Sequence, residues 1–251
     1  MRRLLLAALA TCGIALATFG VASADGFFHR LHVDSLVSDG ITDYHSGDYQ
    51  ASLGKLNDAL SLSTDNIDAL YDRGLVYYAL GNYSAAADDF RHCLKLNPDF
   101  VPALFNLGVT EIALNELDDA KTIFQQIIVA HPSSVRAHFD MGLSNYMAGQ
   151  TDKAVDQFAV ASLLHPQYVQ AHYDKALAEY RTGNLVAADV DTNAALKLNS
   201  DYAKAYFLRG AIRLRQGDDA AAKTAFETAA KLATDPVLKS LCAQIIAQLG
   251  A

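Results

Sequence analysis

Tryptophan is absent from the 251-residue chain, and proline (5), methionine (3) and cysteine (3) are scarce. So little proline beside 15 glycines argues against an all-β or loop-rich fold, which spends such residues on turns. Cations are the next shortage: 20 Lys and Arg face 28 Asp and Glu, a net charge of −8 with histidine neutral. A phosphate backbone or an anionic lipid surface would meet net repulsion, so no nucleic acid partner is expected. The phosphate loop, the His-Glu-x-x-His helix, the Cys-x-x-Cys pair and the serine nucleophile elbow are all missing from the sequence. No catalytic residue, metal or cofactor is therefore expected, and the chain does not read as an enzyme. What is plentiful is apolar: 51% hydrophobic residues is enough for a large core and excludes a disordered chain.

Arg2 and Arg3 precede an apolar run over residues 4–20 and then Val21-Ala22-Ser23-Ala24, the three-part layout of a cleavable export signal. Residues 1–24 are expected to be removed, leaving 25–32 as a flexible N-terminus and placing the protein in the periplasm or outside the cell. The alternative is a retained N-terminal anchor. No later run is long and apolar enough to span a bilayer, so no integral membrane segment survives cleavage. The signal takes two arginines and no acid with it, so the remainder is more acidic still. Cys93 and Cys242 stay behind on apolar helical faces and are expected as buried free thiols.

Aligned against itself, the chain repeats every 34 residues, a period typical of stacked helix hairpins. Copies begin at residues 33, 67, 101, 135, 169 and 203 and end at 236. Position 8 of the copies holds Gly40, Gly74, Gly108, Gly142, Ala176 and Gly210; a tiny residue there lets two helices cross closely. From the second copy on, position 20 is Ala86, Ala120, Ala154, Ala188 and Ala222, and position 24 is Phe90, Phe124, Phe158, Thr192 and Phe226. Pro98, Pro132 and Pro166 close three copies, where a missing amide donor stops a helix. Within a copy, Leu104, Leu107, Val109 and Ile112 and then Ala120, Ile123, Phe124 and Ile127 show the three-four spacing of two amphipathic helices. Residues 237–251 supply one more amphipathic helix, expected to cap the last hairpin.

Glycine or alanine at 8, alanine at 20, phenylalanine at 24 and proline at 32 resemble the tetratricopeptide repeat (TPR) family over residues 33–236. The resemblance implies an all-α, right-handed α-solenoid of antiparallel helix hairpins. The family's usual tryptophan at position 4 is replaced by Leu70, Leu104, His138, His172 and Tyr206, and the fifth copy, with Ala176, Thr192 and Ser200, should pack less tightly. The resemblance further implies that positions 2, 5, 6, 9, 12 and 13 of each first helix line a concave groove. On this chain position 5 then contributes Tyr71, Phe105, Phe139, Tyr173 and Phe207. Position 6 contributes Asp72, Asn106, Asp140 and Asp174; position 9, Leu75, Val109 and Leu143; position 12, Tyr78, Tyr146 and Tyr180. An aromatic strip punctuated by acids suits a peptide or protein partner, in particular a basic segment with apolar anchors. Arg136, Arg181, Lys204 and Arg215 make the C-terminal end of that face more basic.

The expected function is a non-catalytic periplasmic scaffold that binds such a partner in the groove. The alternative is a self-associating structural protein, a homo-oligomer in which the segment Phe27-Phe28-His29-Arg30-Leu31 or the terminal hairpins make the contact. His138 and His172 are expected as packing residues, and His131 and His165 as helix-terminal caps. Asp118-Asp119 and Asp218-Asp219 sit where a helix opens and favour its dipole, while Asp88-Asp89 is expected to face solvent.

Overall fold

The computed structural model describes residue 26 and residues 28–250. Residues 1–24, expected as an export signal, with Cys12 among them, and Phe27 lie outside the described residues. The described chain is helical: α1 (28–46), α2 (Tyr49–Leu62), α3 (Ile67–Ala79), α4 (Tyr83–Leu96), α5 (Val101–Ala113), α6 (Leu117–Ala130), α7 (Val135–Met147), α8 (Thr151–Leu164), α9 (Val169–Thr182), α10 (Leu185–Leu198), α11 (Ala203–Arg215), α12 (Asp219–Leu232) and α13 (Pro236–Leu249). No strand occurs among the described residues. The segment expected as a flexible N-terminus is helical over 28–32, where it lengthens α1.

Each turn inside a hairpin is built by position 15 of the repeat. Gly47, Gly81, Gly149, Gly183 and Gly217 take φ between 74° and 86° there, and Asn115 takes φ 64°. The next backbone amide reaches back across the turn, as from Asn82 to the Tyr77 carbonyl at 2.8 Å and from Gln150 to Asn145 at 2.8 Å. This left-handed closure satisfies carbonyls the ending helix leaves open. The following helix starts on a side-chain cap: Asp48, Asn82, Asn184 and Asp218 each accept from a backbone amide three residues on, which satisfies one orphan donor.

The chain divides into two compact units, with the boundary between Thr110 and Glu111 inside α5. In unit 1 (residues to 110), α2 packs on α3 and α3 on α4. Position 8 meets position 24 across each hairpin. A methyl group on Gly74 would stand 2.6 Å from the Phe90 ring, and one on Gly40 2.9 Å from Leu56. Ser52 replaces alanine at position 20 and donates to the Gly40 carbonyl at 2.7 Å, so its buried hydroxyl is satisfied.

In unit 2 (residues from 111), every helix from α6 to α13 packs on the next in chain order. The same rule recurs: a methyl on Gly142 would lie 2.7 Å from Phe158, and one on Gly210 2.7 Å from Phe226. The fifth copy exchanges the pair, a larger Ala176 with a smaller Thr192. Both are fully buried, and the Thr192 hydroxyl donates to the Ala188 carbonyl at 2.6 Å, so a polar group stands where a ring would be and carries its own hydrogen bond. α13 starts on Asp235 and Pro236 and packs on α12. Cys242 is its buried residue, while Val237 and Leu241 remain exposed.

Candidate functional site

In unit 1 a depression of about 570 Å³ is walled by α1 and α3. Asp34, Asp68 and Asp72 supply three carboxylates to its lining, Ile41, Tyr71 and Phe100 supply apolar surface, and no cation lines it. Burial, with the charge of Asp68 added, pushes the Asp72 carboxyl up to about 6, because both disfavour the charged form. Tyr71 packs edge-on against Phe100 with ring centroids 5.3 Å apart and lies 5.9 Å from Phe90. Asn106 donates from Nδ2 to the Tyr71 hydroxyl at 2.8 Å, tying α5 to α3. Leu75 and Val109 are half-buried, and the Tyr78 ring stacks on Tyr83 at 5.2 Å, bracing the turn into α4. Phe105 is only 9% exposed; its side chain belongs to interhelical packing and offers little surface to a partner.

In unit 2 the same positions are placed differently. Phe139 packs on Phe158 and Tyr168 with centroids 5.5 and 5.0 Å apart, Tyr173 on Tyr202 at 5.0 Å, and Phe207 on Phe226 at 5.3 Å. Position 5 thus bridges to the position-24 ring of its own hairpin or to the aromatic that closes the repeat at position 34. Leu143, Tyr146, Asp174 and Leu177 share a small hollow of about 180 Å³. Tyr146 and Tyr180 are covered from the next hairpin: Arg181 lies over Tyr146 at 4.7 Å and Arg215 over Tyr180 at 4.8 Å, each a cation–π contact. Arg215 also donates to the Tyr180 carbonyl at 2.7 Å.

Burial lifts the carboxyls of Asp140 and Asp174 to about 6. Arg136 opposes the first shift from 3.8 Å, and the Gln170 amide, donating at 3.0 Å, opposes the second together with Lys204. Glu179 is pushed up to about 7 by burial and by Asp191, against the pull of Lys175. The basic residues anticipated at this end therefore already attend its tyrosines and acids.

Four of the eight histidines sit at helix ends or between repeats. His138 and His172 each donate from Nε2 to the carbonyl of a closing proline, Pro132 at 3.0 Å and Pro166 at 3.1 Å. His131 and His165 are C-cap residues of α6 and α8. Among the described residues no group of three metal-ligating side chains gathers. Cys93 and Cys242 are free and buried, and burial pushes the Cys93 thiol up to about 12, which makes it a poor nucleophile.

One expectation is corrected. Asp88 is solvent-exposed, but its neighbour Asp89 is buried and takes both Nε and Nη2 of Arg73, at 2.8 and 2.7 Å; adjacent residues of one helix point in directions about 100° apart. Sequence reasoning also missed Asp34 and Asp68. Both sit at position 2, a place the register already marked as groove-facing.

Models of the tetratricopeptide repeat match residues 67–100, 105–163 and 203–236, together just over half of the chain. No curated protein matches the sequence. Solved structures match the fold: a tetratricopeptide repeat protein from Parabacteroides merdae at 24% identity and TM-score 0.65, over 88% of this chain and 85% of that one. MamA residues 41-end from Desulfovibrio magneticus matches at 19% identity and TM-score 0.65, over 68% of this chain and 97% of that one. YrrB, described as a TPR protein with an unusual peptide-binding site, matches at 21% identity and TM-score 0.59, over 68% of this chain and 88% of that one.

Proposed function

Because this chain belongs to the tetratricopeptide repeat family, whose members generally act as scaffolds for proteins and peptides, we propose that it is a non-catalytic scaffold that holds a basic peptide segment on unit 1. The observation that carries this reading is the depression between α1 and α3: three carboxylates, an aromatic wall and no internal cation. A Lys or Arg side chain entering there would meet Asp34, Asp68 and Asp72 and lower the raised Asp72 pKa by supplying the missing counter-charge. An adjacent apolar residue of the same segment would lie on Tyr71 and Phe100, where an anchor counts most once water is excluded. That YrrB has a peptide-binding site supports the reading at the level of fold.

The proposed setting is the bacterial periplasm or exterior, reached by cleavage after Ala24. Amino-terminal sequencing of the protein purified from an envelope fraction tests this; a mature chain beginning at Met1 overturns it.

Binding is tested with a labelled Phe-Phe-His-Arg-Leu peptide, the chain's own residues 27–31, against a Phe-Phe-His-Glu-Leu control, by fluorescence anisotropy. We expect saturable, salt-sensitive binding of the basic peptide alone and its loss in Asp68→Asn/Asp72→Asn with helicity unchanged. Equal affinity in wild type and variant overturns the site. The same peptide bears on self-association, since Phe28 and Leu31 are exposed at 65% and 48%. A sedimentation mass above one chain that falls on deletion of residues 25–31 favours that second reading.

A further inference from the structure

We propose that unit 2 carries a second recognition site, between α11 and α12, that accepts a carboxylate from an acidic side chain of a partner protein. The inference rests on a comparison of one repeat position with itself. Position 7 is a cation in three copies, Arg73, Lys175 and Arg209. In two of them position 23 of the same hairpin answers with a carboxylate: Asp89 takes Nε and Nη2 of Arg73 at 2.8 and 2.7 Å, and Asp191 takes Nζ of Lys175 at 2.9 Å. Arg73 also reaches back to Asn57 Oδ1 at 2.8 Å.

Arg209 keeps the backward contact, donating from Nη2 to Asn193 Oδ1 at 2.7 Å. Its own hairpin offers Ala225 at position 23 in place of aspartate. The Arg209 Nε is accordingly buried without a hydrogen-bond partner, a costly state for a charged group's donor. Beside it lies a pocket of about 370 Å³ lined by Tyr206, Arg209, Arg213, Thr224, Ala225 and Thr228, two guanidinium groups and no acid in a chain of net charge −8.

Several neighbouring donors already have acceptors. Arg213 donates from Nη2 to both oxygens of Asp189 at 2.9 and 2.8 Å and from Nη1 to Gln216. The Thr224 and Thr228 hydroxyls donate to backbone carbonyls one turn back. Arg209 is the lining residue whose Nε is buried without an acceptor, and its guanidinium lies over the Tyr206 ring at 5.2 Å. A carboxylate is the matching acceptor because its two oxygens suit the flat fork, and because a carboxylate is what the Arg73 hairpin places there. The site is separate from the acidic depression of unit 1 and stands or falls independently of it.

The test follows the Arg209 Nε–H resonance in ¹⁵N-arginine-labelled full-length mature protein, assigned through Arg209→Lys. Sodium propionate, propionamide, phosphate and the blocked tripeptide acetyl-Gly-Glu-Gly-amide are titrated at constant ionic strength. We expect a saturable shift with propionate and with the tripeptide below about 100 mM, the range of a single weak contact, and none with propionamide. Ala225→Asp restores the internal partner of the Arg73 hairpin; we expect it to abolish the shift and raise Tm. No saturable shift in the wild type, or an undiminished one in a folded Ala225→Asp, overturns the proposal. Phosphate binding as well as propionate overturns its carboxylate selectivity, and exclusion of the tripeptide while propionate binds overturns the protein-borne ligand.

Discussion

Position 2 of the first helices is Asp34, Asp68 and Pro102 in unit 1 but Arg136, Gln170 and Lys204 in unit 2. Position 6 is acidic in both, with Asp72 on one side and Asp140 and Asp174 on the other. At position 12, Tyr78 packs at a tilt against Tyr83, and Tyr146 and Tyr180 lie under arginines. One repeat thus yields two kinds of surface. In unit 1 the three acids of the depression have no cation in its lining; in unit 2 the protein supplies much of the answering charge itself. A shared fold therefore says little about which hairpins bind, and the few positions that vary in charge say most.

The largest effect expected is one that treats both units alike. Tyr71→Ala and Phe139→Ala each remove a ring packed against two others, at a cost of about 3 kcal/mol, measured by denaturant unfolding. A cost under about 1 kcal/mol at either site would show that the ring packing there carries little of the stability. Because of this packing, lost binding in a Tyr71→Ala/Phe105→Ala variant would report lost structure as readily as a lost site, and the carboxylates are the better probes.

Charge inversion at position 2 comes next. Asp34→Lys/Asp68→Lys gives unit 1 the unit 2 pattern and should weaken the basic peptide on the order of 100-fold. Arg136→Asp/Lys204→Asp should create weak peptide binding in unit 2. Failure of both in anisotropy titrations would break the contrast between the units.

Protonation gives a smaller effect with a definite sign. The folded-state pKa values of Asp140 and Asp174 lie above the ordinary carboxylate value, so the folded protein holds protons the unfolded chain has released. Their contribution to stability is greatest below about pH 4 and is lost as pH rises towards about 6. Asp140→Asn should flatten that slope in unfolding titrations and stabilise the protein at pH 7 by on the order of 1 kcal/mol. A steeper slope in the variant would show the carboxylate to be held ionised. Smallest of all, Arg181→Ala should cost about 0.5–1 kcal/mol through the lost contact with Tyr146, with Arg215→Ala similar. A neutral result would mean that the arginines merely lie over the rings.

Much of the fold was legible because its determinants recur at a fixed interval. Gly74 and Phe90, Gly142 and Phe158, and Gly210 and Phe226 repeat one steric relation, and a glycine or asparagine at position 15 repeats one backbone conformation. The candidate site was less legible. Asp72, Asp140 and Asp174 look identical in register, yet their surroundings depend on residues that lie nearly a full repeat or more away: Asp34 for the first, Lys204 for the last. Asp89 misled for the same reason, since only its partner Arg73, on another helix, distinguishes it from Asp88. The exchange of Ala176 and Thr192 was visible as a departure, but the hydrogen bond that lets Thr192 sit in the core was not.

By itself, the sequence determined that this chain forms helix hairpins, which residues cross closely, and that no catalytic centre is spelled out. Those properties depend on side-chain volume and local backbone freedom, which residue type and spacing carry directly. Only the tertiary structure decided which charges are answered and which are left open: the three acids around one depression, the arginines laid over Tyr146 and Tyr180, and the Arg209 donor facing Ala225. Charge pairing is a matter of distance and burial between groups on different helices, and neither quantity is a property of a residue alone.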